Sequence, residues 1–302
     1  MTAIWVDTDF GFDDLWALLL LRHFGRKVEG VSLVAGNATL PQVVANAMGA
    51  IEAYGFDWPV WQGAAKPLRR RQETAERILG SRGMVSRGRH LPEPGGIAPP
   101  EGALTALRDW LETCEDTRRV ILALGPLTNI ALLLKKFPEL AERIGRLVWM
   151  GSSTGSGNHT PFAEFNAYAD ADALACVLEA ALKVDIVDLC FCRQVTFGQE
   201  DIPDADDLTR DLLGGYLDIA RARGRARMAI YDPLAALAIV APDAITFSPC
   251  SIDVSIGADE RYGATKFVSA VNAPTRVAAA ANADLSHLCL AALKREAVHG
   301  PR

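Results

Sequence analysis

The feature that most constrains the fold is a regular alternation of short apolar runs with longer amphipathic stretches. Runs with strand character lie at 3–7, 28–35, 60–62, 119–124, 146–150 and 183–187. Helical patterns lie between them, at 13–24, 41–55, 101–114, 126–136 and 170–181. This order is typical of βαβ units. It predicts an α/β fold with an open, mostly parallel, Rossmann-like sheet flanked by helices and an active site at the carboxyl ends of the strands.

The pattern changes after residue 190. Helices are predicted at 204–223 and 232–240, a hairpin at 251–271, and a final alanine-rich helix at 274–294. No linker-like segment or internal repeat interrupts the chain. We therefore expect residues 1–302 to form one domain.

Composition and charge exclude several classes of protein. The net charge of −6 argues against a general nucleic-acid binder, which neutralises phosphates with Lys and Arg. The longest apolar run, 15–21, is too short to span a bilayer, and no secretory signal opens the sequence. Six scattered cysteines without zinc-type spacing indicate reduced thiols. We expect a cytoplasmic protein with neither membrane nor nucleic acid as partner.

The first strand delivers an unusual concentration of negative charge. Residues 4–14 read IWVDTDFGFDD and place Asp7, Asp9, Asp13 and Asp14 within eight positions. Neighbouring carboxylates raise one another's pKa unless a cation lies among them. Alternatively, Asp13 and Asp14 cap the following helix. The whole cluster favours a metal ion.

Polar side chains, and glycines and a leucine that offer their backbone, also follow the other strands. In a parallel sheet those strand ends share one edge. The residues are Gly36, Asn37, Leu124, Gly125, Asn158, Glu164, Asn166 and Asp170. Carboxylate, amide and carbonyl oxygens without Cys or His suit a hard cation. With so many carboxylates in an irregular loop, we expect Ca²⁺.

A different enzyme class shares part of the first motif. DTDFG is similar to the DxDxT motif of haloacid-dehalogenase-type phosphatases, in which the first Asp is a nucleophile. That motif predicts Thr or Val at position 11, where this chain has Gly11, and Asp13 and Asp14 do not fit it. A phosphatase stays an alternative.

Taken together, five segments resemble the inosine-uridine-preferring nucleoside hydrolase family. They are DTDFGFDD at 7–14, GN at 36–37, LGPLTNIA at 124–131, GNHTPFAEFNAYADADA at 157–173 and YDPLA at 231–235. The resemblance implies hydrolysis of the N-glycosidic bond of ribonucleosides to ribose and free base by a calcium-bound water. It also implies a homodimer or homotetramer.

The resemblance implies the roles of the metal-binding residues. Asp9, Asp14 and Asp232 resemble side-chain ligands of Ca²⁺, with the backbone carbonyl of Leu124 as a further ligand. Asp9 also resembles the general base, and Asp7 a supporting residue behind the ligands.

Further residues resemble ribose-binding groups. Asp13 would hold the 2′-hydroxyl, Asn166 the 3′-hydroxyl, and Asn158 with Glu164 the 5′-hydroxyl. Asn37 would position water and ribose, and Asp232 would contact the substrate as well as the ion.

The base-binding end departs from the family pattern. Many members carry His where this chain has Tyr231, and a His-Gly pair where it has Leu79-Gly80. Tyr231 could stack on a purine or act as a weak acid, so purine nucleosides are slightly favoured. Tyr216 is a further candidate for the base pocket, and the run ARARGRARM at 220–228 could contact an acidic or phosphorylated substrate. The missing imidazoles also keep open a nucleoside-binding protein with weak or no hydrolase activity.

Overall fold

The computed structural model describes residues 2–116, 118–180 and 182–296. Its strands are β1 Ala3–Thr8, β2 Val28–Leu33, β3 Val60–Gln62, β4 Arg119–Ala123, β5 Arg146–Met150, β6 Val184–Val187, β7 Thr196–Phe197, β8 Met228–Ala229, β9 Ile245–Val254, β10 Thr265–Ser269 and β11 Thr275–Ala281. Its helices are α1 Phe12–His23, α2 Leu40–Tyr54, α3 Glu76–Leu79, α4 Ala103–Thr113, α5 Thr128–Lys136, α6 Phe165–Ala169, α7 Ala171–Glu179, α8 Leu189–Cys192, α9 Asp207–Arg221, α10 Asp232–Val240 and α11 Leu285–Ala291. Short 3-10 helices cover Pro138–Arg143, Gln199–Asp201 and Pro242–Ala244.

The strands form one large sheet in the order β10-β9-β11-β6-β5-β4-β1-β2-β3. All pairs from β11 to β3 in this order are parallel, and β9 pairs antiparallel with both β11 and β10. β7 and β8 form a separate two-stranded antiparallel ribbon. The predicted α/β class with a mostly parallel sheet is confirmed.

Helices cover both faces of the sheet because its central strands are apolar on both sides. In β1, Ile4 and Val6 belong to the hydrophobic cluster with α1, α2, α9 and α10. Ala3 and Trp5 belong to the cluster with α4, α5 and α7 on the opposite face. This alternation follows from the two-residue period of a strand. β1 therefore lies at the centre of the molecule and ends among buried groups.

Helix α1 packs against α10, and this contact explains the apolar run at 15–21. Leu15 and Leu18–Leu21 are at most 1% exposed. Across the described residues, we find no helix that combines the length and apolarity needed to cross a lipid bilayer.

The prediction of a continuous helix at 274–294 is wrong. Thr275–Ala281 forms β11, which pairs in parallel with β6 and antiparallel with β9, and only Leu285–Ala291 is helical. Pairing on both sides satisfies the backbone of β11, and this tertiary context overrides the helix propensity of its alanines. The predicted hairpin is confirmed as β9 and β10.

Candidate active site

A cavity of about 530 Å³ opens at the carboxyl edge of the sheet. Its lining includes residues at or just beyond the ends of β1, β2, β4 and β5, which are Asp13, Asn37, Leu124 and Met150. The edge at which the sequence placed the active site is therefore the edge that holds this cavity.

The turn after β1 brings the aspartates of the first motif together. Phe10 is buried with a left-handed φ of 45°, which reverses the chain directly after Asp9. The backbone N–H of Phe10 donates to Thr8 Oγ1 at 3.1 Å, and Asn46 Nδ2 donates to the Phe10 carbonyl at 3.0 Å. These contacts hold an uncommon conformation in place. Helix α1 then begins at Phe12, so Asp13 and Asp14 lie in its first turn.

Asp9 is held by Asn37, which follows the neighbouring strand β2. The Asn37 backbone N–H donates to Asp9 Oδ2 at 2.7 Å, and Asn37 Nδ2 donates to Asp9 Oδ1 at 2.9 Å. A side chain at Gly36 would place its Cβ 2.1 Å from Asp9 Oδ2, so only glycine lets this backbone approach the carboxylate. The turn from β2 therefore fixes the orientation of Asp9.

Asp7 lies behind this group, on β1 itself. Ser32 Oγ and Asn129 Nδ2 both donate to its Oδ1, the latter at 2.7 Å. Burial raises the pKa of Asp7 to about 6, although both donors oppose the rise. These contacts fit the supporting place expected for Asp7.

Asp13, Asp14 and Asp232 form a compact carboxylate cluster. One oxygen from each lies within 4.8 Å of the other two. Thr8 Oγ1 and the Gly11 N–H donate to Asp14, the latter at 2.7 Å. Asp14 and Asp232 both lie in the first turns of their helices, α1 and α10. Two helix N-termini, which favour negative charge, therefore converge on one point.

The ionised forms of the carboxylates in this region are disfavoured by burial and by their repulsion of one another. Burial, followed by repulsion from Asp14, raises the pKa of Asp9 well above its usual value and that of Asp13 to about 7. Burial, followed by repulsion from Asp13, also raises the pKa of Asp232. A cation would relieve both effects.

Leu124 and Asn166 are linked at the next strand end. Asn166 Nδ2 donates to the Leu124 carbonyl at 2.8 Å and to the Met150 carbonyl at 3.0 Å. Both residues line the cavity, and the Leu124 carbonyl accepts from Asn166 in this structure, so its expected role as a metal ligand stays a prediction.

Glu164 has a structural task as well as a place in the cavity wall. It caps α6, and its carboxylate accepts from the backbone N–H groups of Ser152, Asn166 and Ala167 at 2.8, 2.9 and 3.1 Å. Burial raises its pKa to about 7 despite these donors. The expected contact with a 5′-hydroxyl stays a prediction.

Two long loops, the first at 66–100 and the second at 151–165, meet at the cavity. Asn158 Oδ1 accepts from the Phe165 N–H at 2.9 Å, which orders the second loop. His159 Nε2 lies 2.8 Å from Glu73 Oε2 of the first loop, and the His159 ring packs against Tyr168 with centroids 4.3 Å apart. His159 and Glu73 both line the cavity.

Tyr216 and Tyr231 line the cavity next to the carboxylate cluster. Tyr216 OH donates to Asp13 Oδ2 at 3.0 Å. Tyr231 directly precedes α10, and burial raises its pKa to about 12. The position of Leu79 also borders the cavity.

Several lining residues were missed by sequence reasoning. They are Glu73, Arg77, Arg193, Phe165 and Tyr168. Glu73 and Arg77 lie in a loop of irregular sequence, so no periodicity could place them. Arg193 comes at the end of the short helix α8, which follows β6, and the position after that strand was the one available signal.

Comparison with known proteins assigns the family. The model of the family described as "Inosine-uridine preferring nucleoside hydrolase" matches residues 4–288. The non-specific ribonucleoside hydrolase RihC of Shigella dysenteriae serotype 1 (strain Sd197) is 33% identical over 268 residues, which cover 87% of this chain and 86% of that protein.

Solved structures show the same fold. A purine-preferring ribonucleoside hydrolase from Gardnerella vaginalis superposes with a TM-score of 0.86 at 23% identity, over 97% of this chain and 99% of that one. A plant nucleoside hydrolase gives 0.85 at 24% identity, over 99% of both chains. The motifs, the matched length and the fold agree: this chain belongs to the inosine-uridine preferring nucleoside hydrolase family.

Proposed function

We propose that this protein hydrolyses the N-glycosidic bond of ribonucleosides to give ribose and free base, with Ca²⁺ as its metal and purine nucleosides slightly favoured. The observation that carries the proposal is the buried carboxylate cluster at the base of the 530 Å³ cavity, in a chain of this family. The similarity to RihC, whose name describes a non-specific ribonucleoside hydrolase, supports the reaction.

The residues at the cluster fit a hard divalent cation. Asp13, Asp14 and Asp232 offer oxygen ligands alone. Burial raises the pKa of all three, and repulsion adds to the rise for Asp13 and Asp232, which a cation would relieve. Asp9 is not one of these three, but Asp14 is near enough to raise the pKa of Asp9 by repulsion. We propose Asp9, Asp14, Asp232 and the Leu124 carbonyl as the residues that hold the ion. When bound, the ion supplies positive charge that lowers the pKa of a neighbouring water and orients the ribose hydroxyls.

Asp9 is the general base in this proposal. Asn37 donates to both of its carboxylate oxygens and so fixes the direction in which it accepts a proton from the attacking water. A positioned carboxylate of this kind contributes about 10² to 10⁴ in rate.

The ribose is held by groups in the cavity wall. We propose Asp13 for the 2′-hydroxyl, Asn166 for the 3′-hydroxyl, and Asn158 with Glu164 for the 5′-hydroxyl. All four line the cavity. The sugar gains positive charge as the bond to the base breaks, and fixed carboxylates and amide dipoles stabilise that charge.

At the base-binding end, stacking is the better role for Tyr231. Its pKa of about 12, raised by burial, makes its phenol a weaker acid than free tyrosine. A flat ring in the cavity wall can instead pack against a nucleobase, which then takes its proton from solvent. Tyr216 completes this wall while it holds Asp13.

We further propose that the protein works in the cytoplasm. All six of its cysteines are free thiols in the structure, as expected in a reducing compartment.

A panel of ribosides tests the proposal. Inosine, adenosine, guanosine, uridine, cytidine and p-nitrophenyl riboside are incubated with the calcium-loaded protein, and the free base or nitrophenol is measured. We expect release from several natural nucleosides. Turnover of the nitrophenyl riboside alone would favour a nucleoside-binding protein without leaving-group activation, and release from none of them would contradict the proposal.

A further inference from the structure

The wall of the cavity also carries positive charge. Arg77, Arg193, Arg223 and Arg225 all border it. We call these four residues the arginine rim. The cavity wall therefore combines carboxylates, which suit a cation and a ribose, with the arginine rim.

Most of the rim has no partner of opposite charge within the protein. Arg193 donates to the carbonyls of Ser156 and Gly157 at 3.0 and 2.9 Å, so its hydrogen bonds serve the second loop. Arg77, Arg223 and Arg225 pair with no carboxylate of the part of the chain that the structure describes. Their charge is free to meet a ligand.

Neighbouring arginines of the same run behave differently. Arg221 pairs with Asp218 at 3.2 Å, and Arg227 pairs with Glu200 and with Asp201, the latter at 2.6 Å. Neither Arg221 nor Arg227 borders the cavity. The arginines that face away from the cavity are thus neutralised, whereas those that face it are not.

The rim lies beside the aromatic wall of the cavity. Arg225 and Arg193 lie near enough to the Tyr231 phenol to oppose the rise in its pKa that burial causes. Arg223 and Arg225 follow directly on α9, whose Tyr216 and Ile219 line the same wall. The unpaired charge is therefore at the end where a base would lie.

We propose that this cavity selects ribonucleosides whose base carries an anionic group, a carboxylate or an ionised oxygen, on the edge remote from the ribose. Arg223 and Arg225 bind that group, and Arg77 lines the same cavity. The guanidinium fork matches a carboxylate in two parallel hydrogen bonds and keeps its charge at every physiological pH. This inference rests on the proposed ribonucleoside hydrolase function.

Matched ligands test the selection. 5-Carboxyuridine and 5-carbamoyluridine have nearly the same size and differ in charge, and uracil-5-carboxylate and uracil-5-carboxamide are the corresponding free bases. We measure kcat/KM for the two ribosides and calorimetric Kd for the two bases, using calcium-loaded wild type, Arg223→Gln/Arg225→Gln and the control Arg221→Gln. Changes are compared on the same ligand, so differences in leaving-group reactivity cancel.

In wild type we expect the carboxylate base to bind more tightly than the carboxamide base. In the double variant, the ratio of the affinity for the carboxylate to that for the carboxamide should fall about tenfold, which is the scale of a charge-assisted hydrogen bond. Arg221→Gln should keep the preference, and added salt should weaken it.

Equal Kd values of the two free bases in wild type would overturn the inference, and so would a preference that survives in the double variant. Turnover of uridine 5′-monophosphate is measured with the same three proteins; if the double variant lost only that turnover, the rim would bind a 5′-phosphate and the inference would be wrong. Failure of the proposed function is distinguishable, since it would abolish turnover of every riboside while the binding of the free bases still decides the role of the rim.

Discussion

At the scale of single residues, the orientation of Asp9, the proposed general base, depends on the close approach of the backbone at Gly36. Gly36 and Asn37 reach Asp9 from the end of β2, and Asn37 alone donates to both of its oxygens. An added Cβ at Gly36 would also meet Pro126 Cδ at 2.8 Å, so it has no room to turn away from Asp9. Small changes here should act on catalysis through geometry.

Gly36→Ala should therefore lower kcat by displacing Asp9. A misplacement of about 1 Å can cost roughly a hundredfold in rate. The matched control is Gly95→Ala, because nothing lies within 4 Å of a Cβ at Gly95. Steady-state kinetics on inosine and a thermal unfolding scan of both variants check this. Equal kcat values for the two variants would show that Asp9 is not constrained by Gly36.

At the scale of secondary-structure elements, the strand ends assemble the floor of the site and the loops form its entrance. The Glu73 and His159 pair joins the first long loop to the second across the cavity. A separate contact within the first loop, the ion pair of Arg82 with Glu93 at 2.7 Å, lies away from the cavity. Substitutions in the two pairs therefore distinguish the effect of linking the two loops at the cavity from the effect of ordering the first loop.

Glu73→Gln should raise KM for nucleosides by about two- to fivefold with little change in kcat, because it weakens a partly exposed polar contact that contributes under about 1 kcal/mol. Glu93→Gln should leave both constants near those of wild type. If Glu93→Gln raised KM as much as Glu73→Gln, the link across the cavity would have no special role.

The same scale explains what sequence could predict. The strands were predictable because β1, β4 and β5 are buried on both faces, and the aspartates after β1 followed from their place at a strand end. Residues 275–281 could not be assigned correctly, because their strand form depends on pairing with β6 and β9. The pairing of Glu73 with His159 arises between two irregular loops, which carry no periodic signal.

At the scale of the whole molecule, buried acids without a cation should make stability depend on pH. Burial raises the pKa of Asp7 to about 6, and of Asp13 and Glu164 to about 7, from ordinary values of 3.8, 3.8 and 4.5. Between the ordinary and the raised values the folded chain binds more protons than the unfolded chain. The free energy of unfolding therefore falls as pH rises through this window.

For the chelator-treated protein, we expect Tm to fall between pH 4.5 and about pH 7. Added Ca²⁺ should reduce the fall, because it binds the folded carboxylates in preference to the unfolded chain. A Tm that rises across the window without metal would contradict the account. A single domain is expected to unfold in one cooperative transition in the same scans. The expected homodimer or homotetramer is tested by sedimentation.

The most direct measurement of the central claim is the product balance with inosine. Calcium-loaded protein is incubated with inosine in the presence and absence of inorganic phosphate, and ribose and hypoxanthine are both quantified. If the protein hydrolyses inosine with Asp9 as general base, ribose and hypoxanthine are equimolar under both conditions, and neither forms with Asp9→Ala. A requirement for phosphate, undiminished turnover by Asp9→Ala, or no hypoxanthine from wild type would contradict it.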